Sequence, residues 1–220
     1  MKKTIYLLTI GVLFVLVLDS CKKEDPCENV PCLNGGTCID GECLCTNGYT
    51  GVNCQIAPDP CADITCLNGG TCANGLCVCT QGYTGANCSQ QATPSQIRIT
   101  NIEVTRFPAT DGGAGWDLTS GPDIFITLYL GSTIVWDSPN YIENANPSLN
   151  YQFTPNPAIV LSNPNSQYTI WLFDYDFPDP DDQMGGINFT PYCSTCGFPP
   201  NLTIDGGGSV AFRLSLTYIW

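Results

Sequence analysis

Histidine is absent from all 220 residues, which removes the most frequent general base and the commonest nitrogen ligand for zinc. Basic residues are scarce as well: seven Lys and Arg stand against twenty Asp and Glu, for a net charge of −13. A chain so acidic repels a phosphate backbone, and no basic stripe offsets it, so nucleic acid is excluded as a partner. After residue 20 no apolar run is long enough to cross a bilayer. A serine elbow, a phosphate-cradling glycine loop and a zinc constellation are also missing, and the chain is expected not to be an enzyme. What it has in excess is cysteine. Fifteen in a chain of this length persist as disulfides only in an oxidising compartment, so the protein is expected to be exported.

The N-terminus reads as an address. Lys2 and Lys3 precede an apolar run over residues 5–18 that is short for a membrane span and ends in small and polar residues. Leu18-Asp19-Ser20-Cys21 resembles a bacterial lipobox, with Asp19 departing from the small or apolar residue usual there. The resemblance implies a signal peptide over 1–20, a diacylglyceryl group on Cys21 and a lipidated tether over 21–26. Cys21 is the cysteine left over when the others are grouped into sets, as an anchor residue should be. Lys22-Lys23-Glu24-Asp25 resembles the lysine-plus-acidic signal that sends lipoproteins to the outer face of the cell outer membrane. The plainer alternatives are a retained signal anchor and a solvated charged linker.

Residues 27–54 and 61–88 repeat with a period of 34. Cys27, Cys32, Cys38, Cys43, Cys45 and Cys54 fall in register with Cys61, Cys66, Cys72, Cys77, Cys79 and Cys88, both sets reading C-x4-C-x5-C-x4-C-x-C-x8-C. Leu33-Asn34-Gly35-Gly36-Thr37 and Gly48-Tyr49-Thr50-Gly51 recur as Leu67-Asn68-Gly69-Gly70-Thr71 and Gly82-Tyr83-Thr84-Gly85. Spacing alone leaves the pairing open. The whole pattern resembles EGF-like domains, which implies bridges Cys27–Cys38, Cys32–Cys43 and Cys45–Cys54, then Cys61–Cys72, Cys66–Cys77 and Cys79–Cys88. Modules this small bury too little apolar surface to stand without their bridges. The acidic and amide clusters of calcium-binding EGF-like modules are poorly matched by Asp25, Asp40, Asp59 and Asn74, so both modules are expected to be spacers or contact units without calcium of their own. Residues 55–60 carry Pro58 and Pro60 and suggest a semi-rigid stalk.

Residues 89–95 are polar, contain Pro94 and mark a linker. Beyond them β-branched and aromatic residues alternate: strands are expected over 97–104, 124–130 and 168–173. Val210, Phe212, Leu214, Leu216, Tyr218 and Trp220 keep a strict period of two. With no helical periodicity, the fold class is all-β, the two small modules being followed over 96–220 by an eight-stranded antiparallel β-sandwich. Asp117 and Asp123 flank a Gly-Pro turn before one strand, and Asp174, Asp176 and Asp182 follow another. With Asn146-Pro147 between the two loops, this arrangement resembles the C2 domain, a calcium-dependent membrane-binding sandwich; Leu149 replaces the usual aromatic after Asn-Pro. The resemblance implies Ca2+ held by Asp117, Asp123, Asp174, Asp176 and Asp182. The chemistry agrees, since calcium takes six to eight oxygens and unneutralised carboxylates at one loop end repel. Any single Asp also suits a solvated turn, the reading kept for Asp179 and Asp181.

Two uses for the calcium follow. A surface protein or glycan partner would suit the surface address and EGF-like stalk, giving an adhesive module. Phospholipid head groups are the alternative, with Phe177 and Leu118 at the loop tips. The domain has only Arg98, Arg106 and Arg213 as cations, which disfavours a phosphoinositide pocket. Cys193-Ser194-Thr195-Cys196 lies between strands and is expected to form a local disulfide, in preference to a redox pair or a zinc half-site.

Overall fold

The computed structural model describes residues 24–117 and 120–220. Cys21, its tether as far as residue 23, and Leu118 lie outside the described residues. The chain divides into two compact units, one ending at Ala62 and one running Asp63–Trp220.

The first unit is built on a hairpin of β1 (Thr37–Ile39) and β2 (Glu42–Leu44), turned by Asp40 and Gly41, both at positive φ. Cys27–Cys38, Cys32–Cys43 and Cys45–Cys54 brace it. Its apolar side chains Leu33, Ile39, Leu44, Val52 and Ile56 are exposed, so cross-links and not a core hold the chain. Gly36 is required by close approach: a Cβ there would sit 2.7 Å from Cys54 Sγ.

In the second unit β3 (Thr71–Ala73) and β4 (Leu76–Val78) repeat that hairpin, with bridges Cys66–Cys77 and Cys79–Cys88. Cys61 and Cys72 are also disulfide-bonded. A short β5 (Tyr83–Thr84) then pairs with β6 (Gln90–Gln91), so the polar stretch before the sandwich is structured. Phe198 joins the module to the sandwich, its ring packing edge-on against Tyr83 at 5.4 Å, Tyr218 at 5.3 Å and Trp220 at 4.7 Å. Ala92 N donates to Gly82 O at 2.9 Å, and Tyr192 Oη donates to Ala92 O at 3.1 Å. A Cβ on Gly82 would meet Phe198 and Trp220 carbons at 2.7 Å, so this joint too is closed over a glycine.

The sandwich is antiparallel throughout. One sheet runs β10 (Tyr151–Phe153), β7 (Gln96–Arg106), β15 (Ala211–Ile219), β14 (Asn201–Ile204), with β11 (Ile159–Leu161) also on β7. The other runs β13 (Asp182–Phe189), β12 (Tyr168–Asp174), β8 (Ile124–Leu130), β9 (Thr133–Asp137). Nine strands thus stand among the described residues where eight are expected. β10 and β11 pair with successive stretches of the same edge of β7, so the extra strand is one edge position interrupted over 154–158. The core takes Ile97, Ile99, Ile102 and Val104 from β7, Ile124, Ile126 and Leu128 from β8, Tyr168, Ile170 and Leu172 from β12, and Phe212 and Leu214 from β15. β7 changes from odd to even inward positions at a bulge, where Ser215 pairs with Asn101 and Leu216 with Ile99. The extra residue, Thr100, shifts the pleat by one and keeps both halves of the strand apolar towards the core.

Candidate metal centre

Strand register gathers the aspartates. Asp174 ends β12, opposite Ile124 at the start of β8 and opposite Asp182 at the start of β13. Asp123, immediately before β8, therefore reaches the same sheet end. Alternation along β12 sends Tyr168, Ile170 and Leu172 inward, and Asp174 is in phase with them. It is 0 % exposed. Tyr175, of opposite phase, stacks on Tyr141 at 4.6 Å, which anchors the turn between Asp174 and Asp176.

Asp117, Asp174 and Asp176 each place a carboxylate oxygen within 4.8 Å of the others. Asp174 Oδ1 accepts from Asp123 N at 2.5 Å, while its Oδ2 is buried without a hydrogen-bond partner. Asp117 accepts from Ser120 Oγ at 3.0 Å. Asp182 lines the open cleft over these groups, with Asp117, Asp176, Asp179, Trp116 and Ser120. Asp123 plays another part: its Oδ1 accepts from Asn144 N at 2.8 Å, and its backbone clamps Asp174 and accepts from Tyr175 N at 2.8 Å. Asp181 accepts from Asp176 N at 3.2 Å and shapes the loop. Asn146 stays local, its Oδ1 accepting from Ser148 N at 2.9 Å.

Trp116 and Asp179 are the wall residues that spacing alone does not single out. The Trp116 indole N–H donates to Pro108 O at 2.9 Å, which fixes the ring beside Asp117.

The electrostatics are those of acids held together without a counter-charge. Burial pushes the Asp174 carboxyl up to about 6; the Asp123 N–H opposes this, and the charges of Asp176, Asp117 and Asp123 add to it. Asp176 is raised too, by burial first and then by Asp182, Asp117, Asp181 and Asp179. The two described ion pairs of the sandwich lie elsewhere, Arg106 with Asp205 and Arg213 with Glu103. An oxygen-seeking divalent cation fits this donor set. It would take up the orphaned Asp174 oxygen and remove the repulsion, and the open side leaves room for further oxygens.

Comparison with known families identifies the small modules by class. Residues 29–57 match the family described as Teneurin-like EGF domain, and residues 60–88 match the EGF-like domain family. Among curated proteins, the mouse basement membrane-specific heparan sulfate proteoglycan core protein is 51% identical over 39 residues, 17% of this chain and 1% of that protein. EGF-like domain-containing protein 2 of Pinctada maxima is 58% identical over 33 residues, 14% of this chain and 9% of that protein. The chain spans less than a tenth of either relative. Solved structures similar to it include one titled "Structure of a C2 domain", at TM-score 0.38 and 18% identity, covering 56% of this chain and 97% of that one. The paired C2 domains of Extended-Synaptotagmin 2, calcium bound, match at TM-score 0.36 and 21% identity, covering 57% of this chain and 46% of that one. The two-layer sandwich of this chain is established by its own strand pairing.

Proposed function

We propose that this chain is a non-enzymatic, calcium-binding surface protein of the C2 type. A lipid on Cys21 tethers it to the cell outer membrane, facing the exterior, and it adheres to a surface protein or glycan. The buried carboxylate of Asp174 carries the calcium reading: one oxygen has no partner, and Asp117 and Asp176 converge beside it. Asp182 and Asp179 complete the rim. Asp123 acts as a positioning residue, holding Asp174 through its backbone N–H.

Calcium titration of the full chain, followed by thermal unfolding, tests this. Extracellular calcium modules bind at ~10⁻⁴–10⁻³ M, and a tenfold excess over the dissociation constant adds about 1.4 kcal/mol of stability. Asp174→Asn and Asp176→Asn are expected to abolish that gain. A wild-type melting temperature indifferent to millimolar calcium would overturn the reading. For the anchor, Cys21→Ala is expected to release the protein from the membrane fraction.

Docking to phospholipid head groups is the second reading, favoured by Phe177. This ring is 85% exposed on the loop between Asp176 and Asp182, and Leu149 is exposed as well. Calcium-dependent pelleting with anionic liposomes, lost in Phe177→Ser, would select it over the adhesive reading.

A further inference from the structure

The motif Cys193-Ser194-Thr195-Cys196 has no part in the metal centre. It borders a second cleft, where the second module meets the sandwich. The cleft measures about 680 Å³, within the range of small-ligand sites. The module lines it with Asn68, Tyr83, Gln90 and Gln91, and the sandwich with Ser194 and Thr195. No lining side chain is charged, whereas Asp117, Asp176, Asp179 and Asp182 all face the metal cleft.

Four features make this a built cleft. Gln91 Oε1 accepts from Gly197 N at 3.2 Å across the joint, which fixes the amide's orientation. Its Nε2 is then left buried without a hydrogen-bond partner, an arrangement that costs about 1–3 kcal/mol and that a turn of the amide towards an acceptor in the cleft would relieve. The Cys193–Cys196 bridge closes the loop carrying Ser194 and Thr195, so that wall is set in advance and little is lost in ordering it. Tyr83 is held by the edge-on Phe198 ring and supplies an amphipathic aromatic surface. Asn68 Nδ2 is committed to Cys88 O at 2.8 Å, which leaves its carbonyl oxygen as an acceptor.

Amides and hydroxyls that both donate and accept, beside one aromatic ring, match a ligand with hydroxyl groups on an apolar ring skeleton. An anion would find no cation here and a cation no carboxylate. An apolar ligand would strand the amides. We infer that this cleft binds an uncharged saccharide, with the Gln91 amide donating to one of its oxygens. The inference deepens the adhesive reading above and rests on it for access to glycans, but it needs no calcium.

The full chain is run by affinity electrophoresis through gels containing glucan, mannan, xylan or galactan, with heparin and polygalacturonate as anionic controls, each with and without chelator. At least one neutral polysaccharide is expected to retard the protein equally in both conditions. Thr195→Arg, at an exposed position, should weaken that retardation by about tenfold or more while leaving the melting temperature unchanged. The side-chain amide resonances of Gln91 should shift with the matching oligosaccharide. Retardation by no neutral polymer, by the anionic ones alone, or to the same degree in Thr195→Arg would overturn the inference. Retardation lost with chelator and in Asp174→Asn, but kept in Thr195→Arg, would also overturn it, by moving glycan binding to the metal loops and leaving the calcium reading intact. Chelator-independent retardation lost in Thr195→Arg, in a protein indifferent to calcium, would uphold the saccharide site and sink the metal centre.

Discussion

The two cystine modules share one spacing, and equivalent residues do different work in each. Thr50 bridges to Ile56 as Thr84 pairs with Gln90, so the chain leaves both modules in the same way. What faces the next step differs. A Cβ on Gly48 would meet Pro58 of the trailing segment at 3.3 Å, but on Gly82 it would meet the rings of Phe198 and Trp220 at 2.7 Å. Tyr83 accordingly packs against Phe198. The motif specifies the cross-links and turns, and the neighbour decides whether the module also gains a packed face. The second module therefore draws on both sources of stability, cystines and aromatic burial.

The sharpest test is reduction. Each bridge of the first module is worth about 2–5 kcal/mol, so thiol treatment followed by protease should digest residues 24–62 first. Residues 96–220 should survive, because their core is aliphatic and aromatic. Loss of the sandwich in the same step would break the comparison. Next comes Phe198→Ala, expected to remove about 2–3 kcal/mol from the larger unit, somewhat less than a fully buried ring costs. Hydrogen exchange at residues 83–92 should accelerate, with the first module unchanged.

A comparable effect follows from pH in calcium-free buffer. The folded Asp174 carboxyl lies near 6, above its ordinary value, so the folded state holds the extra proton between about pH 4 and 6. Its stabilising contribution is full below that window and is lost as pH rises through 6, a fall of about 3 kcal/mol. Calcium should flatten or reverse the slope; a calcium-free melting temperature that rises steadily from pH 4 to 6 would contradict it. Smallest is the paired comparison of Tyr83→Ala with Tyr49→Ala. The former should cost about 1 kcal/mol more, the value of its aromatic contact, and equal losses would dissolve the distinction between the modules.

The metal loops show how far one-dimensional pattern reaches. Aspartates placed at strand ends were legible from the composition shift between alternating runs and turns. The burial of Asp174 was legible too in the phase of Tyr168, Ile170 and Leu172, though turn chemistry is the more obvious signal there. The division of labour between Asp123 and Asp117 was not, because it depends on which backbone N–H each carboxylate meets. The interrupted strand at 154–158 and the bulge at Thr100 were hidden for a similar reason: both are set by a partner strand distant in sequence.

Composition, cysteine spacing and a period of two determined the all-β class and the split into cystine-rich modules and a cored sandwich, because these are local properties of the chain. The three-dimensional fold alone decided which aspartates converge, and that Tyr83, Phe198 and Trp220 weld one module to the sandwich. The first rests on residues more than fifty positions apart, as Asp117 and Asp174 are, and the second on residues more than a hundred apart, as Tyr83 and Phe198 are, and packing, not periodicity, selects both.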